Sequence, residues 1–154
     1  MIQRVQTLFM LLAIGGITAM YLTPIGAFTA DNHHYVLSIY GIKDEAGVPF
    51  PEVVSSNFVY IPLAVALILT IYAIFQFGRR KTQMQVNKIS IVLMLVSAFL
   101  MALFLKNAGD MMPERHIGFG VAFFMPYLCI LLLVFANRAI KKDDDLVRSV
   151  DRIR

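Results

Sequence analysis

Three histidines carry the side chains best suited to proton transfer or metal binding near neutral pH, and they stand at His33, His34 and His116. His33 and His34 follow Asp31, while His116 follows Glu114 and Asp110. Gathered at one rim, these imidazoles and carboxylates would make an acid–base pair or part of a metal shell. Their spacing argues for the plainer reading, solvated loop histidines, because the chain has no His-x-x-x-His and no Cys-x-x-Cys. The single cysteine, Cys129, cannot supply dithiol chemistry and lies in an apolar run, where it reads as a small buried hydrophobe. His33, His34, Asp110 and His116 therefore stand as a candidate polar cluster, and no catalytic, cofactor-binding or metal-ligating residue is assigned.

A second group of polar residues is charged in blocks. Arg79-Arg80-Lys81 is one block, and the chain closes on Lys141-Lys-Asp-Asp-Asp-Leu-Val-Arg-Ser-Val-Asp-Arg-Ile-Arg154. In that tail Leu146, Val147, Val150 and Ile153 recur at helical spacing, Asp144 and Arg148 form an i,i+4 pair, and the three Asp residues suit a helix start. The pattern predicts a short amphipathic helix over 138–154. Arg4, Arg79, Arg80, Lys81, Asp144, Asp145, Arg148, Asp151 and Arg152 form a candidate surface for lipid headgroups or for a docking protein.

The elements that must position these groups follow from composition. Of 154 residues, 58% are hydrophobic and only 16% charged, against about 45–50% and about 25% in an ordinary soluble domain. That excludes a disordered, nucleic-acid-binding or disulfide-rich secreted protein. Val5–Ala30, Phe58–Gly78, Ile89–Leu105 and Ile117–Asn137 contain no Asp, Glu, Lys, Arg or His. A membrane-crossing helix needs about 20 mostly apolar residues. The third window reaches that length if it starts near Val86 with Lys88 snorkelling toward the headgroups. Four spans are predicted, at about 5–27, 58–78, 86–105 and 117–137. Ala30 has Phe28 two residues before it, where a cleaved leader needs a small residue, so the first window reads as a retained span.

With four spans, Arg4, Arg79, Arg80, Lys81, Lys88 and the tail cations Arg138, Lys141, Lys142, Arg148, Arg152 and Arg154 share one side, eleven in all; the other side has Lys43, Lys106 and Arg115, three. The positive-inside rule then puts both termini in the cytoplasm. Topology and attraction to anionic lipid account for the net charge of +4 without a nucleic-acid partner. The expected fold is an all-α, up-down-up-down antiparallel four-helix membrane bundle with a small outer cap. In the 29–57 loop, residues 34–41 are rich in strand formers, Lys43–Gly47 reads as a turn, and Val48 and Phe50 follow, so a hairpin is expected. Pro24 and Gly26 mark the exit of helix 1, and Pro126 predicts a kink in helix 4 among Phe119, Phe123, Phe124 and Tyr127. Gly15 with Ala19, Ala98 with Ala102, and Gly118 with Ala122 are small-xxx-small pairs, suited to packing within the bundle or to a homodimer seam. Gln76, Asn87 and Asn137 read as caps at the membrane interface.

The opening Met1-Ile-Gln-Arg-Val-Gln-Thr-Leu and the closing Lys142-Asp-Asp-Asp-Leu-Val-Arg-Ser-Val-Asp-Arg-Ile-Arg154 resemble the two ends of a family of small four-helix bacterial inner-membrane proteins, classed as a domain of unknown function. The resemblance implies the fold and brings no activity, substrate or cofactor. The expected role is a non-enzymatic accessory or scaffold subunit, with the lipid bilayer and another membrane protein or a second copy as partners. The alternatives are a lipid or quinone binder, or an enzyme working at the outer leaflet, and a small transporter. A charge-free interior disfavours proton-coupled transport, which uses buried ionisable groups.

Overall fold

The structure, a computed structural model, describes residues 3–30, 33–44, 57–110 and 116–151. Four helices are long and apolar enough to cross a membrane: α1 (Gln3–Leu22), α2 (Asn57–Phe75), α3 (Arg80–Asp110) and α4 (Val121–Asp151). The chain is a multi-pass membrane protein. Each helix buries one stripe at 3–4-residue spacing, as in Met10, Ala13, Ile17 and Met20 of α1 and Cys129, Leu133, Ala136 and Ile140 of α4. The opposite faces stay apolar: Leu8, Leu12, Ile68, Val92, Phe99, Leu131 and Phe135 are all exposed. A water-soluble helix carries polar residues on that outward face, whereas lipid accepts apolar ones.

Contacts tie the helices end to end. Rings of Phe9 and Phe135 lie 5.8 Å apart, and Cys129 Sγ donates to the Ala13 carbonyl at 3.6 Å, so the start of α1 faces the later part of α4's apolar run. Tyr21 and Tyr60 meet edge to face at 5.8 Å, joining the end of α1 to the start of α2. Asn87 Nδ2 donates to Asn137 Oδ1 at 3.1 Å, joining early α3 to late α4.

The connections at one end form a sheet. Strands β1 (Gly26–Ala30), β2 (His33–Ser38), β3 (Gly41–Asp44) and β4 (His116–Phe119) run antiparallel in the order β3-β2-β1-β4. Alternation sets its two faces. Phe28, Leu37 and Ile42 are buried against the helices, while Ala27, His34, Val36 and Lys43 are exposed. Gly26 has no Cβ because one would meet Leu105 Cδ1 at 2.9 Å, so this glycine lets the end of α3 lie against the sheet.

Several boundaries differ from the sequence reading. Helix α1 stops at Leu22 rather than continuing toward Ala27, because Ile25 N bonds to Leu37 O at 2.7 Å and begins the β1–β2 ladder. The described hairpin turns at Ile39–Tyr40, where Gly41 takes a φ of 128° and Ser38 Oγ donates to Gly41 O at 3.1 Å; of the turn expected over 43–47, residues 45–47 lie outside the described residues. Lys43 and Asp44 are strand residues paired with Val36 and Tyr35. The expected strand at Val48 and Phe50 lies outside the described residues. Residues 117–119 are strand, and α4 begins only at Val121, after Gly120 N bonds to Ile25 O (2.8 Å) and Ala122 N to Pro24 O (3.2 Å). Those two bonds satisfy donors that a helix start leaves free. Gly118 with Ala122 is therefore no helical small-residue pair, and Ala102 is exposed. In α1 the close approach falls at Gly16, where a Cβ would sit 2.6 Å from Cys129 Sγ, while Gly15 has nothing within 4 Å. The tail is no separate helix either: α4 runs unbroken through Pro126 to Asp151. Apolar packing sets the first part, and the helix continues into the charged tail because no Gly or Pro stands between Tyr127 and Asp151.

Candidate functional site

The basic end of the molecule concentrates the charged groups. Helix α2 ends at Phe75, and residues 76–79 turn back to α3, with Arg79 N bonded to Gln76 O at 2.9 Å. So tight a turn places Arg79, Arg80 and Lys81 at the head of α3, which has no acidic residue in its first turn. Arg80 reaches across to α4 and pairs with Asp143, Nη2 to Oδ2 at 2.8 Å, both side chains being largely covered. The pair is an electrostatic contact, since Asp143 Oδ2 gains no aligned hydrogen bond. An open groove of about 490 Å³ is lined by Phe77, Arg79, Arg80, Lys81, Thr82 and Asp144. A second groove, about 430 Å³, lies on α4 between Arg138, Lys141, Lys142 and Asp145.

Of the residues expected at this surface, Arg79, Arg80, Lys81 and Asp144 come together in the first groove, and Asp145 lines the second. Asp143, absent from the expected set, makes the ion pair. Arg4, Arg148 and Asp151 are placed by backbone alone on α1 and α4, and Arg152 lies outside the described residues.

Beneath the charged groups the helices bury amides. Gln6, Gln83 and Asn87 are 0–2% exposed. Gln83 Nε2 donates to Met10 Sδ at 3.8 Å, a weak acceptor, one helical turn beyond Gln6. Gln6 Oε1, Gln83 Oε1 and Asn87 Oδ1 accept no hydrogen bond from the protein. Asn87 and Asn137, expected as separate caps, instead bond to each other between α3 and α4. On the same stripe of α3, Ser90 and Ser97 donate to the carbonyls of Val86 and Leu93. Beyond Ser97 the buried residues of α3 are Ala98, Met101, Phe104, Leu105, Ala108 and Gly109, so the polar stripe stops partway. The sequence reading missed this layer by starting its span at Val86. The available signal was Gln83, Asn87, Ser90 and Ser97 recurring on one helical face with Met94 and Met101.

At the sheet end the register sets His34 and His116 on either side of Thr29, in one row across β2, β1 and β4. His34 is exposed and its Nδ1 meets Thr29 Oγ1 at 3.0 Å. His33 pairs with Ala30, the next row along. Asp110 closes α3, and its side chain is exposed. Among the described residues no three His, Cys, Asp or Glu side chains group as a metal shell would. Phe119, Phe123 and Phe124 form a ring cluster with centroids 5.0–6.3 Å apart, and Phe119 and Phe124 are largely exposed. An outward aromatic group at a helix end suits the membrane interface.

Neither the curated proteins nor the solved structures contain a match to this chain. One family profile does match, over residues 2–153, and its description is a domain of unknown function, DUF4293. The match takes in the whole membrane domain together with both charged ends, and the chain belongs to that family.

Proposed function

We propose that this protein is a non-enzymatic accessory or scaffold subunit of a bacterial inner-membrane complex. In this reading it is an up-down-up-down antiparallel bundle, with both termini and the basic end in the cytoplasm and the sheet outside. The observation that carries the proposal is the length of α4. Its 31 residues span about 46 Å at 1.5 Å per residue, against a hydrocarbon core of about 30 Å. The excess is a charged rod, from Lys141 onward, with Leu146 and Val147 exposed side by side at 46% and 43%. Apolar side chains held out on a charged helix suit a protein partner, either another membrane protein or a second copy. Among the described residues the buried stripes carry amides, hydroxyls and the Cys129 thiol and no Asp, Glu, Lys, Arg or His, which suits a structural part rather than a pump.

Two experiments test this. A tagged full-length copy purified in mild detergent is expected to bring down a protein in fixed stoichiometry, and Leu146→Asp with Val147→Asp to release it. Recovery of the wild type as a lone monomer would overturn the subunit role. For orientation, Gln85→Cys, on an exposed face of α3, is expected to react with an impermeant maleimide only after the cells are opened. Labelling of intact cells would overturn the topology.

A further inference from the structure

We infer that the groove between the α2–α3 turn, the head of α3 and Asp144 of α4 binds the phosphate of an anionic phospholipid headgroup. The inference rests on the orientation proposed above, which puts this groove at the inner leaflet. Three consecutive cations line it, Arg79 and Lys81 exposed and Arg80 half-buried. Asp143 fixes Arg80 at 2.8 Å through one oxygen, and a guanidinium with five donors in a planar fork still has N–H groups to offer a second oxyanion. Thr82 adds a hydroxyl on the same wall. Asp144 lines the groove as well and opposes an anion, so with Asp143 the local balance is three cations against two carboxylates. The site is then tuned rather than saturated with positive charge.

A phosphate oxyanion could arrive free or on a lipid, and the groove's apolar edge favours the lipid. Phe77 lines the groove and is 63% exposed; Phe75, at the end of α2, is 71% exposed. Phe58–Phe75 is the apolar window of that helix, so these rings stand where the hydrocarbon gives way to headgroups. A soluble anion gains nothing from such an edge, whereas a phospholipid can lay its glycerol and upper chain along it while the cations hold its phosphate.

The test uses purified full-length protein in a neutral detergent, titrated with phosphatidylglycerol, phosphatidylcholine or inorganic phosphate and read by native mass spectrometry. Saturable binding of phosphatidylglycerol is expected, with little binding of the other two. Arg79→Gln with Lys81→Gln should weaken it about twenty-five-fold, at about fivefold per cation. Arg138→Gln with Lys141→Gln, which removes the same charge from the second groove, should weaken it less than threefold, and Asp144→Asn should strengthen it. Equal losses from the two double variants would reduce the effect to general surface potential and overturn the site. Binding of inorganic phosphate as tightly as phosphatidylglycerol, or no preference over phosphatidylcholine, would overturn the lipid assignment. The four cations are exposed and Asp144 is half-buried, and an unchanged melting temperature confirms a folded variant. Because the titration needs no protein partner, its outcome is independent of the subunit role, and the maleimide experiment separately reports a wrong orientation.

Discussion

The two ends of this molecule are closed by different physics. At the sheet end the join is backbone to backbone. Strands from the α1–α2 and α3–α4 connections pair in one sheet, and the carbonyls of Ile25 and Pro24 take the N–H groups of Gly120 and Ala122 where α4 begins. At the basic end the described join is side chain to side chain, and it includes an Asn–Asn bond, a Gln–Met contact and the Arg80–Asp143 ion pair. Backbone ladders admit little geometric variation, and a substitution that moves them disturbs several bonds at once. Side-chain contacts between long helices can be exchanged one at a time. The sheet end is therefore the rigid anchor, and the basic end can adapt its surface to what it meets.

Substitutions that strain this contrast rank by expected effect. The largest falls at Gly120, where a Cβ would lie 2.1 Å from the Pro24 carbonyl oxygen and 2.9 Å from the Ile25 carbonyl carbon. Backbone cannot swing aside as a side chain does, so Gly120→Ala should cost on the order of 3 kcal/mol, seen as a loss of monodisperse protein and a lower melting temperature in detergent. Gly15→Ala, with open space around it, is the control and should be neutral or stabilising by up to about 1 kcal/mol. Next is Gly16→Ala, whose Cβ would meet Cys129 Sγ at 2.6 Å. A loss of about 1–3 kcal/mol is expected, and Cys129→Ala in the same chain should recover part of it, a coupling that a double-mutant cycle measures.

The basic end should respond more mildly and more reversibly. Asn137→Leu removes the acceptor of Asn87 Nδ2 and strands that buried donor, for a loss of about 1–3 kcal/mol. Asn87→Leu combined with Asn137→Leu removes both partners and should be close to neutral; chemical unfolding of the single and double variants tests the sign. The smallest effect is at the ion pair. Asp143→Asn should cost about 1 kcal/mol or less, and the difference from wild type should shrink as salt is raised. An ion-pair variant more damaging than Gly120→Ala would reverse the assignment of anchor and adaptable end.

How far the sequence speaks varies with the kind of signal. The four helices were legible because a charge-free run of about 20 residues has few uses other than crossing lipid. Arg79, Arg80 and Lys81 were legible as a group because they are contiguous, and contiguous side chains share a surface in any fold. Asp143 was passed over beside its neighbours Asp144 and Asp145, since only the rotation of α4 decides which of three adjacent carboxylates faces Arg80. The turn at Ile39–Tyr40 is made by its flanks, Ser38 and Gly41, a weaker local signal than the longer polar stretch after it, and the pairing of β2 with β1 and β3 decided between them. Gly16 and Gly15 are equivalent in sequence, and which of them faces Cys129 is a matter of helix phase.

What the sequence by itself determined is the solvent and the sorting of charge. A chain with 58% hydrophobic residues and its charges at the ends and between the apolar runs is a membrane protein because no aqueous fold could bury that much surface. What only the tertiary structure decided is adjacency. Residues 26–29 meet 116–119 across most of the chain length, and Gln6 and Met10 of α1 come to the same buried layer as Gln83 and Asn87 of α3. Composition and periodicity are properties of one segment at a time, whereas a sheet register or a buried amide layer depends on the relative rotation and depth of several segments, which packing alone sets.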